Sequence, residues 1–160
     1  MKKVFGILIA GALLYACSGG TKEETSNTSA PTEEVSAADD NTNPSYDPKR
    51  GEGKFTKVDV SEKLDAAMAE NGKKVFDVKC SSCHKLTDEK LVGPGWAGVT
   101  KRHAPEWIMN FVTNTDAMID KDPAAQAQLE ICLVRMPNQN LSDDDARHLF
   151  EFMRKNDGVK

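Results

Sequence analysis

Residues 80–84 read Cys-Ser-Ser-Cys-His, and the interpretation of the whole chain depends on this stretch. Its spacing places two thiols about one helical turn apart, with an imidazole directly after the second thiol. The chain has 160 residues, which is long enough for one compact domain with additional segments. Only 6% of the residues are aromatic, and this favours a small helical domain over an aromatic-rich sheet.

Three kinds of site use closely spaced cysteines of this type. A thioredoxin-like redox pair requires strands and helices that alternate around it, and the sequence lacks that alternation. A zinc site requires a second pair of ligands, and only Cys132 and two further histidines remain for it. The third kind attaches haem covalently through two thioethers, while the histidine binds the iron. We therefore predict one covalent haem c, attached at Cys80 and Cys83, with His84 as an iron ligand.

The amino terminus has the form of an export signal. Lys2 and Lys3 precede an apolar run over residues 4–14, which is too short for a permanent membrane span. The run ends in Leu-Tyr-Ala-Cys at Cys17, which resembles the lipobox of bacterial lipoproteins, where the cleaved chain begins at a lipidated cysteine. We predict a lipoprotein signal peptide over residues 1–16, with an ordinary cleaved leader as the alternative. Both place the domain outside the cytoplasm of a bacterium, in the cell envelope and on the periplasmic side.

The next segment has a different composition, rich in Ser, Thr, Asn, Pro, Gly and acidic residues. Such a segment cannot bury enough apolar surface to fold, so we predict a disordered tether. The predicted organisation is a signal peptide (1–16), a lipidated cysteine with a flexible linker (17–57) and a folded domain (58–160). The net charge of −4 and the lack of a basic patch exclude nucleic acid as a partner.

The flanking sequence contains three further motifs. These are a glycine and an aromatic residue at Gly72 and Phe76, a Val-Gly-Pro-Gly-Trp-Ala-Gly segment at residues 92–98, and a Met-Pro pair at Met136 and Pro137. In this order the motifs resemble the class I, single-haem cytochrome c family, and the resemblance extends over about residues 61–156. It implies an all-α fold, in which a small cytochrome c-like helical domain wraps around one covalent haem.

The resemblance also implies roles for residues close to the haem. The carbonyl of Pro94 accepts the free ring N–H of His84, which fixes the imidazole and makes it a better donor to iron. Arg102 and Trp96 contact the haem propionates. Plain surface packing is the alternative for these last two residues.

Met136 is predicted as the second iron ligand, because it lies on a loop before the last helix, as the family's methionine does. A thioether is neutral and soft, so it stabilises ferrous haem and closes the site to external ligands. The other methionines lie in the leader or in helical patterns, where core packing is the better interpretation. His103 and His148 are the alternative ligands.

Four helices are predicted, over residues 61–78, 105–113, 123–134 and 142–155. Proline in the first turn supports the second and third helices, and Ser142 is a good N-cap for the last. The resemblance implies that an aromatic residue of the last helix, Phe152 or else Phe150, crosses the first helix at Gly72. If instead Gly72 only interrupts the first helix, no such contact is needed.

The predicted function is electron transfer rather than catalysis. A haem with histidine and methionine ligands has no open position, and the chain supplies no acid, base or nucleophile set. Redox proteins are then the partners, with a quinol-oxidising complex as donor and a terminal oxidase or reductase, such as nitrous-oxide reductase, as acceptor. The lipid anchor would attach the carrier to the membrane. The alternative is a haem enzyme or gas-binding sensor with an open sixth position.

Two further expectations concern the core. We expect a cavity that is surrounded by Cys83, His84, Pro94, Trp96 and Met136. Cys132 has no partner once the other two cysteines hold haem, and it is interpreted as a buried, inert thiol. An intermolecular disulfide is the alternative for this cysteine.

Overall fold

The structure, a computed structural model, describes residues 46–160. The predicted signal peptide, Cys17 and residues 17–45 of the predicted linker lie outside these residues. Between residues 46 and 160 the chain forms six α-helices and no strand, which confirms the all-α class. The helices are α1 (Ala66–Lys79), α2 (Val99–Arg102), α3 (Pro105–Thr113), α4 (Thr115–Lys121), α5 (Pro123–Cys132) and α6 (Asp143–Asn156). None of these six is long and apolar enough to cross a bilayer.

The capping residues explain where the predicted helices begin and end. The predicted first helix began too early, at residue 61, because Asp65 is the N-cap and its carboxylate accepts the N–H of Met68. Helix α6 begins after Ser142, whose hydroxyl accepts the N–H of Asp145, as expected. Helix α5 ends two residues early, since Leu133 adopts a left-handed conformation with φ 58°.

Two short helices were not predicted. Helix α4 lies between the second and third predicted helices, in a stretch where no helix was predicted. Its amphipathic pattern is too short to recognise in the sequence, yet Met118 and Ile119 of this helix are 0% and 4% exposed. Helix α2 has only four residues and follows Gly98, whose φ is 73°. Tertiary packing therefore stabilises these helices, rather than propensity.

Helices α1 and α6 cross in close contact at Gly72. A Cβ at this position would overlap the backbone carbonyl of His148 and lie 2.8 Å from the Cβ of Phe152. The ring of Phe152 packs on that of Phe76, with 5.5 Å between centroids. The expectation that Phe152 crosses α1 at the glycine is therefore confirmed, and the missing side chain is what permits the close approach.

A buried carboxylate ties α6 to the segment before α1. Glu151 is 0% exposed. It accepts hydrogen bonds from Arg154 at 2.7 Å, Arg147 at 2.7 Å and the backbone N–H of Asp65 at 2.9 Å. Burial alone would raise the pKa of Glu151, but these hydrogen bonds and the charge of Arg154 hold its pKa below the ordinary value. The ionised carboxylate is therefore the form that the fold stabilises.

The folded domain begins earlier than predicted. Asn110 is 0% exposed in α3, and its side-chain amide donates to the carbonyls of Arg50 at 2.9 Å and Phe55 at 3.0 Å. Its side-chain oxygen accepts the N–H of Phe55 at 2.9 Å. The predicted boundary between residues 57 and 58 is therefore wrong, and the domain extends at least to residue 46. Hydrogen bonds to the backbone attach this arm, so its sparse apolar pattern did not indicate that it folds.

The close contact at Gly72 predicts the direction in which a substitution there changes the free energy of unfolding. Changing Gly72→Ala will lower the free energy of unfolding by about 1–3 kcal/mol, because the methyl group overlaps α6. Helix propensity alone predicts the opposite, a gain of about 1 kcal/mol. Urea denaturation of the holoprotein measures the difference. Ala67→Gly at an exposed position of the same helix is the control, and it should lose about 1 kcal/mol; a stabilised Gly72→Ala variant would contradict the close packing.

The buried carboxylate predicts a pH-dependent stability difference. Glu151→Gln will lower the free energy of unfolding at neutral pH by about 3 kcal/mol, since buried Arg154 loses its anionic partner. Because the pKa of Glu151 is lower in the folded than in the unfolded state, this stabilisation is complete above about pH 4.3 and is lost as the pH falls through the folded value. The difference between wild type and variant should therefore shrink in acid, as measured by urea denaturation across pH. A constant difference would refute the assignment, and exposed Glu130→Gln controls for the loss of one carboxylate.

Candidate functional site

The core contains one apolar cleft, which is lined by residues from both halves of the domain. Cys83, His84, Pro94, Trp96 and Met136 all border it, so the predicted cavity is confirmed. The cleft has two walls, which we name by the residues that form them. The histidine wall comprises residues 80–99, and the methionine wall comprises residues 129–137.

Backbone hydrogen bonds hold the histidine wall. The chain leaves α1 in a turn, in which the carbonyl of Cys80 accepts the N–H groups of Cys83 and His84, both at 3.0 Å. The carbonyl of Cys83 then accepts the N–H of Val92 at 3.2 Å and that of Gly93 at 2.9 Å. The end of α1 therefore fixes where the two thiols and the imidazole lie relative to the cleft.

The ring of His84 is held in one orientation. Its Nδ1 lies 2.9 Å from the carbonyl oxygen of Pro94, and because a carbonyl can only accept, Nδ1–H is the donor. The other ring nitrogen, Nε2, is then left with a lone pair for a metal. Gly93 packs against the ring, where a Cβ would overlap Cε1. Burial lowers the pKa of His84, only partly offset by this bond, so the neutral imidazole that can bind iron is favoured.

Both cysteines of the motif are free thiols in the structure. Cys80 is 6% exposed, and its burial raises the thiol pKa to about 11, which the charge of Lys79 only partly offsets. Two free thiols, an imidazole with Nε2 available and an apolar cleft between two walls form the set of groups that haem c requires. The residues present therefore fit this cofactor: Cys80 and Cys83 would hold it by thioethers, and His84 would bind its iron.

Trp96 and Arg102 both border the cleft, but their surroundings differ. Trp96 is 6% exposed and packs on Phe76 at 4.8 Å and on His84 at 5.6 Å between ring centroids. Trp96 therefore packs between the ring of His84 and the ring of Phe76 of α1. Arg102 is exposed and donates to the carbonyls of Ala97 at 2.5 Å and Gly95 at 3.5 Å. The predicted contacts of both residues with haem propionates stay predictions.

Met136 and Cys132 lie on the methionine wall. Met136 is half-buried and faces the same cleft as His84, and its role as iron ligand stays a prediction. Cys132 ends α5, is a free thiol and also borders the cleft. It is partly exposed at the border of the cleft rather than fully buried, and its interpretation as an inert thiol stays a prediction.

The two alternative histidine ligands lie in different places. His103 borders the cleft and stacks on Trp107, with 3.9 Å between ring centroids. Burial, together with the charge of Arg102, lowers the pKa of His103. His148 lies in α6, where its carbonyl faces Gly72, and it is not among the described residues that border the cleft.

One cluster at the base of the cleft was not predicted from the sequence. The indole N–H of Trp107 donates to the carboxylate of Asp122 at 2.9 Å, and the Tyr46 hydroxyl donates to the same carboxylate. Asp122 is 1% exposed, and it also caps α5 by accepting the N–H of Ala125 at 2.8 Å. The Asp122-Pro123 pair is an N-cap signal that the sequence carries. Nothing in the sequence indicates that the same carboxylate also holds two aromatic residues.

Comparisons with known proteins agree with this geometry. The family model for cytochrome c matches residues 69–157. A cytochrome c from Rhodothermus marinus is 34% identical, over 66% of this chain and 90% of that chain, with a TM-score of 0.63. An engineered cytochrome c from Rhodothermus marinus, Rma TDE, is 32% identical over 69% of this chain and 98% of its own, with a TM-score of 0.66. The same engineered protein bound to a carbene intermediate is 32% identical over 69% of this chain and 98% of its own, with a TM-score of 0.63.

A search of curated protein sequences gave no significant match. The family model nevertheless covers more than half of the chain, including the Cys-Ser-Ser-Cys-His stretch and both walls of the cleft. Covalently attached haem c and haem-based electron transfer with redox proteins as partners are general properties of that family. The chain therefore belongs to the cytochrome c family, with Cys80 and Cys83 in the positions that attach haem c.

Proposed function

We propose that this protein is a single-electron carrier, with haem iron bound by His84 on one side and Met136 on the other. The observation that carries the proposal is that His84 and Met136 border the same apolar cleft, which Cys83 also lines. Haem bound there would supply an iron that exchanges one electron between its ferrous and ferric states. The protein is then a carrier and not an enzyme.

The chain's own residues suit such a carrier. Pro94 fixes the tautomer and orientation of His84, so Nε2 keeps one position in both redox states. Trp96, Trp107 and Ile108 are all less than 9% exposed and line the cleft, where they exclude water. A site that is rigid and dry changes little in structure when the charge of the iron changes.

The lining also argues against acid–base catalysis. Among the described residues that border the cleft there is no aspartate or glutamate. His103 and the thiol of Cys132 are the remaining titratable candidates, and the ring of His103 is stacked on Trp107. Burial lowers the pKa of His103, which favours its neutral form. The cleft thus holds a cofactor well but offers few groups that could move a proton for a substrate.

The proposed carrier is anchored to a membrane through a lipid on Cys17, outside the cytoplasm of a bacterium and on the periplasmic side. Such an anchor would keep the domain near membrane-bound partners, which it would meet through weak, transient contacts. We propose a quinol-oxidising complex as donor and a terminal oxidase or reductase, such as nitrous-oxide reductase, as acceptor.

The rival function is a haem enzyme or gas-binding sensor. One observation gives it weight, since an engineered cytochrome c of similar fold has been obtained with a carbene intermediate bound. That function requires an open sixth position, so Met136 would have to be absent from the iron or leave it readily. Binding of external ligands therefore separates the two functions.

The test of the proposed ligation uses carbon monoxide. Ferrous wild-type holoprotein should not bind it, whereas ferrous Met136→Ala should be high-spin without carbon monoxide and should convert to a low-spin complex when carbon monoxide binds, because the sixth position is open. Absorption spectra with and without carbon monoxide make the measurement. Met109→Leu is the control, since Met109 is a core methionine that is 3% exposed and does not border the cleft. Ready binding of carbon monoxide by the wild type would reject the carrier and favour the rival.

The hydrogen bond at Pro94 predicts a shift in reduction potential. Gly93→Ala places a methyl group against the His84 ring and weakens the bond between Nδ1–H and the carbonyl. A weaker bond makes the imidazole a poorer donor to ferric iron, so the potential should rise by about 10–60 mV. A redox titration of the holoprotein measures it. Leu91→Ala, at a side chain that is 47% exposed, should leave the potential unchanged; a fall in Gly93→Ala would contradict the argument.

A further inference from the structure

The loop that carries Met136 lacks the backbone bonds that hold the opposite wall. It begins at Leu133, where α5 ends, and continues to Leu141, just before the N-cap of α6. Among the described residues, no backbone–backbone hydrogen bond involves residues 134–141. Other contacts must therefore keep Met136 at the cleft.

The residue directly before Met136 supplies the largest set of such contacts. The guanidinium of Arg135 reaches α4, where its Nε lies 3.2 Å from a carboxylate oxygen of Asp116. Its Nη2 lies 3.1 Å from the backbone carbonyl of Asp116 and 2.8 Å from the carboxylate of Asp120. Asp116 and Asp120 are four residues apart, so they lie on one face of α4. Both carboxylates can therefore bind the same guanidinium.

We call the contacts of Arg135 with Asp116 and Asp120 the clamp. Helix α4, which carries the two aspartates, is itself firmly anchored. Thr115 and Met118 are 0% exposed and Ile119 is 4% exposed, so the helix is fixed in the core on the side opposite its two aspartates. Its anchoring does not depend on the loop. A side chain held at three points on this helix therefore restricts the position of the residue that follows it.

Met136 and Leu141 also pack against the hydrophobic core, whereas the remaining polar contacts with the rest of the domain lie near the ends of the segment. The ammonium group of Lys90 donates to the carbonyl of Ile131 at 2.9 Å, and that of Lys79 donates to the carbonyl of Gln139 at 3.2 Å. Each is a single hydrogen bond from a flexible, exposed side chain. Neither restrains the middle of the loop, where Met136 lies.

We propose that Arg135 is a positioning residue for Met136: by binding Asp116 and Asp120 of α4, it keeps the thioether in the cleft and the sixth position of the iron closed. This inference rests on the proposed ligation by His84 and Met136. It adds that closure depends on a surface charge cluster as well as on the packing of Met136 against the core. The cluster therefore sets how often the iron is open to external ligands.

The size of the effect follows from the exposure of the cluster. Exposed ion pairs contribute little to global stability, and each changes an equilibrium by a factor of about 1.4 to 5. A ligand that needs the open form binds with an apparent dissociation constant that is inversely proportional to the open fraction. Loss of both pairs should therefore strengthen binding of an external ligand by about twofold to 25-fold.

Imidazole binding to the ferric, full-length holoprotein tests the proposal. Arg135→Gln should lower the apparent dissociation constant of imidazole about twofold to 25-fold and weaken the long-wavelength absorption band typical of iron–methionine ligation. Arg135→Lys should fall between, because one ammonium cannot bind both carboxylates in the same geometry. Added salt should move the wild type toward Arg135→Gln and leave the variant nearly unchanged.

Two further variants make the test specific. The double variant Asp116→Asn with Asp120→Asn should reproduce Arg135→Gln, and combining all three changes should add no further effect. Lys121→Gln is the control, since Lys121 is an exposed cation of α4 that pairs with Glu52 at 3.2 Å and does not contact the loop.

The outcomes separate the two proposals. If the wild-type protein lacks the iron–methionine absorption band, both the proposed ligation by Met136 and the proposed clamp are overturned. If the wild type shows the band and Arg135→Gln binds imidazole as the wild type does, only the clamp is overturned. Equal effects of Arg135→Gln and Lys121→Gln would also overturn it, because they would indicate a general effect of charge.

Discussion

The crossing of α1 and α6 at Gly72 is the constraint on which the cleft depends. Because Gly72 has no side chain, the backbone of α6 can approach α1 at the carbonyl of His148. The end of α1 leads directly into Cys80, and the start of α6 follows directly after the loop of Met136. One contact between two helices therefore positions both the attachment site and the opposite wall, although neither wall takes part in the crossing.

The two walls use different forces, and this difference fits what each must do. On the histidine wall, backbone hydrogen bonds from Val92 and Gly93 converge on the carbonyl of Cys83, and Pro94 holds the ring of His84. Such bonds are shielded and depend little on salt. On the methionine wall, side-chain contacts with exposed charges take their place. The wall that would attach the cofactor covalently is thus the rigid one, and the wall that carries the proposed methionine ligand is the adjustable one.

The sequence predicted those features that local chemistry determines. Proline at the first turn of α3 and of α5 and the N-cap Ser142 located three helices, and the motif at residues 80–84 located the attachment site. The misses have one physical origin. The arm held by Asn110 and the short helix α4 are stabilised by tertiary contacts between residues far apart in the sequence, and no local period records these. Arg135 was missed for the same reason, because its partners are on α4.

Because exposed charges hold the methionine wall, the proposed limit on access of external ligands to the iron is the opening of the loop that carries Met136. Opening of the loop around Met136 need not disturb the Gly72 crossing or the buried carboxylate of Glu151, so its free energy is local and smaller than that of global unfolding. A closed carrier and a ligand-binding haem protein on this fold then differ in the free energy of one loop. The same helical core is compatible with both, and the proposed contacts of Arg135 would shift the balance between them by the small free energy of exposed ion pairs.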